Sequence, residues 1–217
     1  RTDHTSVFGY HRDTTPFLAK LAQKPEVYAF PYTFANATVS YLSMISLTSG
    51  YGMKRSTEEF QNVPLMWDYL KKGGYETFFV TQSIGYPRYL LDKFLQTPGL
   101  DFYADIGQES FKKFREKRQG SSYDNFLKRF LKHFYEETKV PRDDAWSLDV
   151  FVEAIKGRDL KKPFFGLWEL ECTHIPYCYG DKFGKFQPAK SFLLTRERIG
   201  SLKNDYDNAI LYSDHMI

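Results

Sequence analysis

Residues 34–50, FANATVSYLSMISLTSG, carry six hydroxyl side chains around the point where a loop is expected to become a helix. A threonine or serine hydroxyl becomes a nucleophile when a helix N-terminus or a bound metal ion stabilises its alkoxide. Thr38 lies at the expected start of a helix over 38–48, which suits this chemistry. The same position suits a helix N-cap. The local sequence therefore leaves two roles open for Thr38, a nucleophile and a structural cap.

A second set of reactive side chains follows the apolar segment FFGLWEL, residues 164–170, which is predicted to be a central strand. Residues beyond the carboxyl end of a strand usually form the site in an α/β sheet. His174 lies there and can bind a metal ion or donate to a phosphoryl or sulfuryl oxygen; an ordinary loop histidine is the alternative. Cys172 and Cys178 flank it at a spacing that is poor for structural zinc. A small-loop disulfide in an oxidising compartment and a pair of thiols both stay open.

Asp214 and His215, near residue 217, form a third candidate. An Asp-His pair resembles a metal-binding motif, but here it continues an amphipathic helical pattern. Adjacent residues on a helix point about 100° apart. We therefore predict an exposed helical pair without a chemical role.

The elements that would position these residues alternate between helices and strands. A helix is predicted to begin at Pro16, with Thr14 or Thr15 as its cap. An amphipathic helix over 63–72 ends at Gly73-Gly74 and leads into a buried strand over 75–81. The other predicted elements are a strand over 27–32, helices over 86–96, 143–157 and 195–217, and a loop over 175–193. This order predicts an α/β domain.

The composition is typical of a folded domain with a sizeable core. The 217 residues are 42% hydrophobic and 18% aromatic, which argues against disorder. The net charge of +3 arises from interleaved charges and lacks the basic stripe of a nucleic-acid binder. No apolar run approaches the roughly 20 residues that span a bilayer. Residues 109–141 are predicted to form charged surface helices, with a basic surface near anionic lipid headgroups as the alternative.

Five segments follow one another along the chain in a distinctive order. They are RTDHTSVFGYHRDTTP from residue 1, FANAT from residue 34, LKKGGYET from residue 70, THIPY from residue 173 and YDNAILYSD from residue 206. In this order they resemble the sulfatase and phosphoethanolamine transferase branch of the alkaline phosphatase superfamily, most weakly over 100–142. The resemblance implies an α/β fold, a three-layer α/β/α sandwich with an alkaline-phosphatase-like mixed sheet that is here incomplete.

The resemblance assigns a nucleophile. The transferase pattern Thr-x-[Thr/Ser]-x-x-Ser matches the segment from Thr38 to Ser43 and makes Thr38 both the nucleophile and a metal ligand. The sulfatase pattern would make Ser40 the alternative nucleophile. Leu42 and Met44 stand where that pattern has Pro and Arg, and this departure favours Thr38.

Three further residues take roles from the same resemblance. His174 matches the histidine that faces the substrate or a second metal in the transferases. Tyr177 belongs to the matching motif and begins an aromatic, basic loop. Arg88 lies near a basic substrate contact of some transferases. The expected site therefore has Thr38 and His174 as catalytic residues, and Tyr177 and Arg88 as substrate-binding residues.

The function implied by the resemblance is zinc-dependent transfer of a phosphoethanolamine group, or a similar phospho-alcohol. The acceptor would be an envelope glycolipid such as lipid A or core oligosaccharide, and the intermediate a covalent phospho-threonine. A sulfatase, a phosphodiesterase, a phosphoglycerol transferase and a non-catalytic binding domain are the alternatives. The implied partners are a phospholipid donor and an envelope glycan, and nucleic acid is not among them. The resemblance also implies a monomeric protein of the bacterial inner membrane with a periplasmic catalytic domain. A Cys172–Cys178 bridge is permitted in that compartment.

The resemblance also implies a single partial catalytic domain over residues 1–217. In the family, Gly-Glu-Ser/Thr with a zinc-binding Glu precedes a segment like Arg1-x-Asp3-His4, and an Asp-His-Gly segment follows the helix that residues 206–214 resemble. These zinc ligands are expected before Arg1 and beyond Ile217. Asp214 and His215 are therefore not equated with the metal motif, and residues 1–217 alone are expected to be inactive.

Overall fold

The computed structural model describes seven stretches of the chain, namely residues 3–52, 57–82, 93, 97–105, 144–175, 177–189 and 199–217. The charged segment 109–141 and nearly all of the predicted helix 86–96 lie outside the described residues. The chain divides into two compact units. The first unit comprises Arg1–Thr33, Pro141–Ala145 and Leu170–Ile217, and the second comprises Phe34–Val140 and Trp146–Glu169. The single domain predicted over 1–217 stays a prediction.

The described part of the chain contains both helices and strands. The helices are α1 (Pro16–Leu21), α2 (Ser40–Ser49), α3 (Thr57–Gln61), α4 (Met66–Lys72), α5 (Asp144–Lys156) and α6 (Ile199–Met216). The strands are β1 (Glu76–Thr81), β2 (Phe102–Asp105) and β3 (Phe164–Trp168), and 3-10 turns span Ser6–Phe8 and Asp181–Phe183. The predicted α/β class is confirmed, as are the helix at Pro16 and the strand over 75–81.

The described sheet belongs to the second unit and has the strand order β2-β1-β3, with both pairs parallel. The sheet buries both faces, because side chains alternate along a strand. Phe79 lies in one apolar cluster with Trp67 and Leu65. Phe78 lies in the other, with Val150 and Ala154 of α5. Because β1 and β3 are parallel, the residues at their carboxyl ends lie at the same edge of the sheet, where Thr81 donates to the Glu169 carboxylate at 2.7 Å.

Gly166 of β3 permits close packing of α5 on the sheet. A Cβ atom at this position would lie 2.5 Å from the Phe151 ring, which is closer than real Cβ contacts. The absence of a side chain lets the Phe151 ring lie against the strand backbone. The ring also stacks on Trp168, with centroids 6.2 Å apart.

In the first unit, α1 packs against α6, and the start of α1 is capped from there. Thr15 is the N-cap residue but makes no side-chain capping bond, and Pro16 occupies the first turn. Asp214 instead accepts hydrogen bonds from the amides of Phe17 and Leu18, at 2.7 and 3.0 Å. Thr15 therefore holds the predicted N-cap position, but the capping hydrogen bonds come from Asp214. Asp214 is buried, so the prediction of an exposed Asp214–His215 pair holds for His215 alone.

Three other predictions need correction. The segment over 27–32 forms no strand, because it pairs with no strand among the described residues, and Tyr28 and Tyr32 stay exposed. The helix predicted over 63–72 begins at Met66, where the Asp68 carboxylate accepts a bond from the Leu65 amide at 2.7 Å. The strand predicted to be central is β3, but β1 is the middle strand of the described sheet.

The mixed sheet predicted from the resemblance shows only parallel pairs among the strands that the structure describes. Across the described stretches, no helix is both long and apolar enough to cross a bilayer.

Candidate active site

The loop before α2 presents Thr38 at the surface of the second unit. The N-cap of α2 is Val39, and no side chain among the described residues caps the helix. Thr38 therefore lies outside the helix and is not its cap, which removes the structural role that the sequence left open. The Thr38 side chain is exposed, and no described residue forms a hydrogen bond with its hydroxyl. The amides of an uncapped first turn attract an anion such as a phosphoryl oxygen.

Two hydroxyls of α2 hold this loop in place. Ser43 Oγ donates to the carbonyl of Ala37 at 3.0 Å. Asn36 Nδ2 donates to Ser46 Oγ at 2.7 Å. The residues on the N-terminal side of Thr38 are thus bound to the helix that follows it. This arrangement orients the Thr38 backbone while leaving the hydroxyl accessible.

Ser40, the alternative nucleophile, is the first residue of α2 and is also exposed. Its hydroxyl likewise has no hydrogen-bond partner among the described residues. Thr38 and Ser40 therefore share one loop–helix junction. Burial and hydrogen bonding do not separate the two candidates.

The loop after β3 carries His174 in the first unit, and Asp144 at the start of α5 holds the base of this loop. The buried Asp144 carboxylate accepts bonds from the amides of Glu171 and Cys172, at 2.8 and 3.0 Å. The amide of His174 donates to the Glu171 carbonyl at 2.8 Å. Asp144 was given no role from the sequence, and its signal was its position in the first turn of the helix predicted over 143–157.

His174 is an accessible side chain with a defined tautomer. Its side chain is 64% exposed, and Nδ1 lies 2.8 Å from the carbonyl oxygen of Ile175. Because a carbonyl only accepts, Nδ1 carries the proton in this bond. In the neutral ring, Nε2 is then the acceptor nitrogen. This nitrogen can accept a proton or bind a metal ion.

Tyr177 lies on the same loop as His174. The Tyr177 ring packs against Tyr206 of α6, with centroids 5.2 Å apart. The side chain is half-buried. Arg88, the other predicted substrate contact, lies outside the described residues.

In the first unit, the Asp207 carboxylate of α6 is the shared acceptor of three polar side chains. It is fully buried and accepts bonds from His4 Nδ1 at 2.5 Å, the Tyr10 hydroxyl at 2.9 Å and the Arg12 guanidinium at 2.8 Å. Burial and then the bond to Asp207 raise the pKa of Tyr10, so the phenol stays protonated and donates. Two segments of the resemblance, from residues 1 and 206, thus meet at one carboxylate. We name His4, Tyr10, Arg12 and Asp207 the Asp207 cluster.

Two asparagines of α6 position the loop that follows Tyr177. Asn208 brackets Phe186: its Oδ1 accepts from the Phe186 amide at 2.9 Å, and its Nδ2 donates to the carbonyl at 3.0 Å. Asn204 Nδ2 donates to the carbonyl of Pro188 at 2.8 Å, while Asn204 Oδ1 accepts from Arg12 at 2.6 Å. The sequence analysis quoted Asn208 only as part of a motif and gave it no role.

The described residues do not by themselves fit a metal site. No group of three His, Cys, Asp or Glu side chains lies together in the described part of the chain. Zinc in proteins takes about four ligands, at least three of them from the protein. The metal-binding role predicted for Thr38 supplies one oxygen and stays a prediction.

The chain is similar in sequence to one protein family and to two curated relatives. A family model described as Sulfatase matches residues 1–217. The phosphoethanolamine transferase EptC of Escherichia coli K12 is 26% identical over 220 aligned residues. EptC of E. coli O18:K1:H7 (strain RS218) is 24% identical over 218. Each alignment covers 98% of this chain but 33% of the relative, so the chain spans about a third of the length of these curated relatives.

Solved structures agree on the fold. The C-terminal periplasmic domain of E. coli EptC in complex with Zn has a TM-score of 0.64 at 22% identity, covering 100% of this chain and 54% of that one. A protein in the alkaline phosphatase superfamily from Vibrio parahaemolyticus has a TM-score of 0.51 at 18% identity, covering 97% and 46%. The fold is therefore that of the alkaline phosphatase superfamily. Because the family model matches every residue from 1 to 217, the chain belongs to the sulfatase family.

Proposed function

We propose that this chain carries the nucleophile of a phosphoethanolamine transferase. The donor is a membrane phospholipid, and the acceptor is an envelope glycolipid such as lipid A or core oligosaccharide. One observation carries the proposal: the Thr38 hydroxyl is exposed, has no hydrogen-bond partner among the described residues, and directly precedes an uncapped helix. The similarity to EptC, a named phosphoethanolamine transferase, supports the transferred group.

The proposed reaction has two displacements at phosphorus. Thr38 Oγ1 attacks the donor phosphorus, the bond to the diacylglycerol oxygen breaks, and a covalent phospho-threonine forms. A hydroxyl or phosphate oxygen of the acceptor then attacks the same phosphorus, and the bond to Oγ1 breaks. In the first step the proton of Thr38 ends on the departing diacylglycerol oxygen. In the second step Oγ1 takes a proton from the acceptor hydroxyl, or from solvent when the acceptor is a phosphate oxygen. The first-turn amides of α2 stabilise the negative oxygens during both steps.

His174 is proposed to act on the transferring group. Its exposed ring can accept a proton at Nε2, and in the doubly protonated form it donates to a phosphoryl or leaving oxygen. Tyr177, held against Tyr206, is proposed to line the substrate path. Arg88 stays a proposed substrate contact on the basis of the sequence alone.

Zinc dependence and an envelope location complete the proposal. They are supported by the solved EptC structure, which is described as a C-terminal periplasmic domain in complex with Zn. The described residues do not fit a zinc site alone, so no step above depends on one. A bound metal ion would supply further stabilisation of the Thr38 alkoxide.

The proposal is tested with the full-length protein and a phosphatidylethanolamine donor labelled in the ethanolamine. Label that appears in the glycolipid fraction, disappears with a chelator and returns with zinc supports a metal-dependent transferase. Activity that survives exhaustive chelation contradicts the metal requirement. Label released only as free phosphoethanolamine contradicts transfer and favours a phosphodiesterase.

A second candidate, a sulfatase, is favoured by the family model and by the exposure of Ser40. Oxidation of residue 40 to formylglycine, together with hydrolysis of a sulfate ester, would identify it. A glycerol-labelled phosphatidylglycerol donor in the same assay tests the phosphoglycerol transferase alternative.

A further inference from the structure

The loop that carries His174 and Tyr177 closes on itself at two cysteines. The amide of Cys178 donates to the carbonyl of Cys172 at 3.0 Å, across the five residues between them. Both side chains lie in one apolar cluster with Phe183 and with Tyr212 of α6. The structure holds both sulfurs as thiols.

Cys172 is the fixed member of the pair. It is fully buried, its amide donates to Asp144, and its Sγ lies 3.4 Å from the Asp144 amide nitrogen. The hydrogen bond to the Cys178 side chain and then burial raise the pKa of the Cys172 thiol. Cys178 is only half-buried, so a soluble reagent reaches it first.

We propose that Cys172 and Cys178 form a disulfide that closes the loop carrying His174 and Tyr177. A disulfide needs its two cysteines close together, because it spans Cα separations of roughly 4.4 to 6.8 Å. The Cys178 amide donates to the Cys172 carbonyl, the two thiols are hydrogen-bonded to each other, and both side chains lie in one apolar cluster. The backbone and the side chains of the two residues are therefore already in contact.

The bridge forms by thiol–disulfide exchange with the disulfide of a dithiol oxidoreductase. The Cys178 thiolate attacks one sulfur of that disulfide, giving a mixed disulfide and releasing the other sulfur as a thiolate. Cys172 then loses its proton and attacks Cys178 Sγ, which releases the oxidoreductase as a dithiol. In total the two cysteines lose two protons and two electrons, and the partner disulfide gains both.

The bridge has a consequence for the candidate site. Asp144 already holds the first end of the loop through the amides of Glu171 and Cys172. A covalent bond at Cys178 fixes the other end, one residue beyond Tyr177. This inference rests on the proposed function only for the oxidising compartment, because disulfides persist in the periplasm and are rare in the cytosol.

The test is peptide mapping of the full-length protein isolated from the envelope of a Gram-negative host and alkylated without reduction. The tryptic peptide over 162–182 contains both cysteines of residues 1–217. We expect it to take no alkyl group and to weigh about 2 Da less than the dithiol peptide. After reduction it takes two alkyl groups. The assay does not measure activity, so its failure is distinct from failure of the transferase proposal.

Two alkyl groups on this peptide without reduction, both as isolated and after equilibration with oxidised glutathione, would overturn the proposal. Cys178→Ser is the matched variant, because Cys178 is less buried than Cys172. This variant takes one alkyl group with or without reduction. Its melting temperature is expected to fall by roughly 5 °C relative to the oxidised protein. An unchanged melting temperature would contradict a bridge that stabilises the fold.

Discussion

The Thr38 loop and the Asp207 cluster use similar polar side chains in opposite ways. His4, Tyr10 and Arg12 all direct their polar atoms to one buried carboxylate. Thr38 has an exposed hydroxyl, and the bonds around it come from Ser43 and Asn36 instead. A buried polar group must be paired because desolvation is costly. The polar side chains of the segment from residue 1 therefore support the fold, whereas the Thr38 hydroxyl is accessible to a substrate.

The largest expected effect is the loss of transfer in Thr38→Ala. Removing a covalent nucleophile should lower the rate by about 10⁴-fold or more, because the second displacement has no intermediate to act on. The measurement is the labelled-donor transfer assay on the full-length protein. Thr33→Ala, which removes another exposed threonine hydroxyl shortly before this segment, is the matched control and should keep full activity. Equal transfer rates for Thr38→Ala and Thr33→Ala would contradict a chemical role for the Thr38 hydroxyl.

His174→Gln should lower transfer by about 10²-fold, since a general acid or base contributes on this scale. The melting temperature should not change, because the side chain is 64% exposed and its bond to Ile175 is local. His215→Gln, an exposed histidine without a proposed role, is the control. A fall in stability with normal transfer would make His174 a structural loop residue.

Asp207→Asn should mainly lower the free energy of unfolding. Losing the charge leaves Arg12 without its buried carboxylate and takes an acceptor from His4 or Tyr10, which should cost about 3 kcal/mol of unfolding free energy. The measurement is the urea midpoint with an unchanged m-value. Asp159→Asn, at an exposed pair with Lys162, should change the unfolding free energy by less than about 0.5 kcal/mol. Equal effects would contradict the structural role of the cluster.

Asp214→Ala should have the smallest effect, about 1 kcal/mol. The substitution removes the acceptor of the Phe17 and Leu18 amides at the start of α1. Asp214→Asn keeps an oxygen there and should lose less. The urea midpoints of the two variants give the comparison, and an alanine variant as stable as the parent would show that α1 needs no cap.

Local patterns predicted the elements whose stability is local. β1 follows a glycine stop and is a short apolar run, and α5 begins at an acidic residue and ends before Gly157. The strand over 27–32 was predicted wrongly because a short run rich in aromatic and apolar residues is typical of a strand, whereas a strand also needs a partner strand. The helix predicted over 195–217 ends at Met216, close to the predicted end. The burial of Asp214 was not predicted, because it depends on contacts with α1.

The candidate site was predictable only in part. Thr38 and His174 follow from motif positions, and the structure adds that Val39 is the cap of α2 and that His174 is exposed. Asp207 could not be assigned from spacing, because its bond to His4 joins residues 203 positions apart. Motifs identify which residues occur together, while their division into supporting and reacting groups requires tertiary contacts.

The most direct test of the account is a mass measurement on Thr38. The full-length protein is incubated with phosphatidylethanolamine and zinc in the absence of acceptor, quenched in acid and mapped by peptide mass spectrometry. We expect one phosphoethanolamine group on Thr38, absent from Thr38→Ala and removed when acceptor glycolipid is added. An unmodified Thr38, together with normal transfer by Thr38→Ala, would contradict it and move the nucleophile to Ser40 or the protein to a binding role.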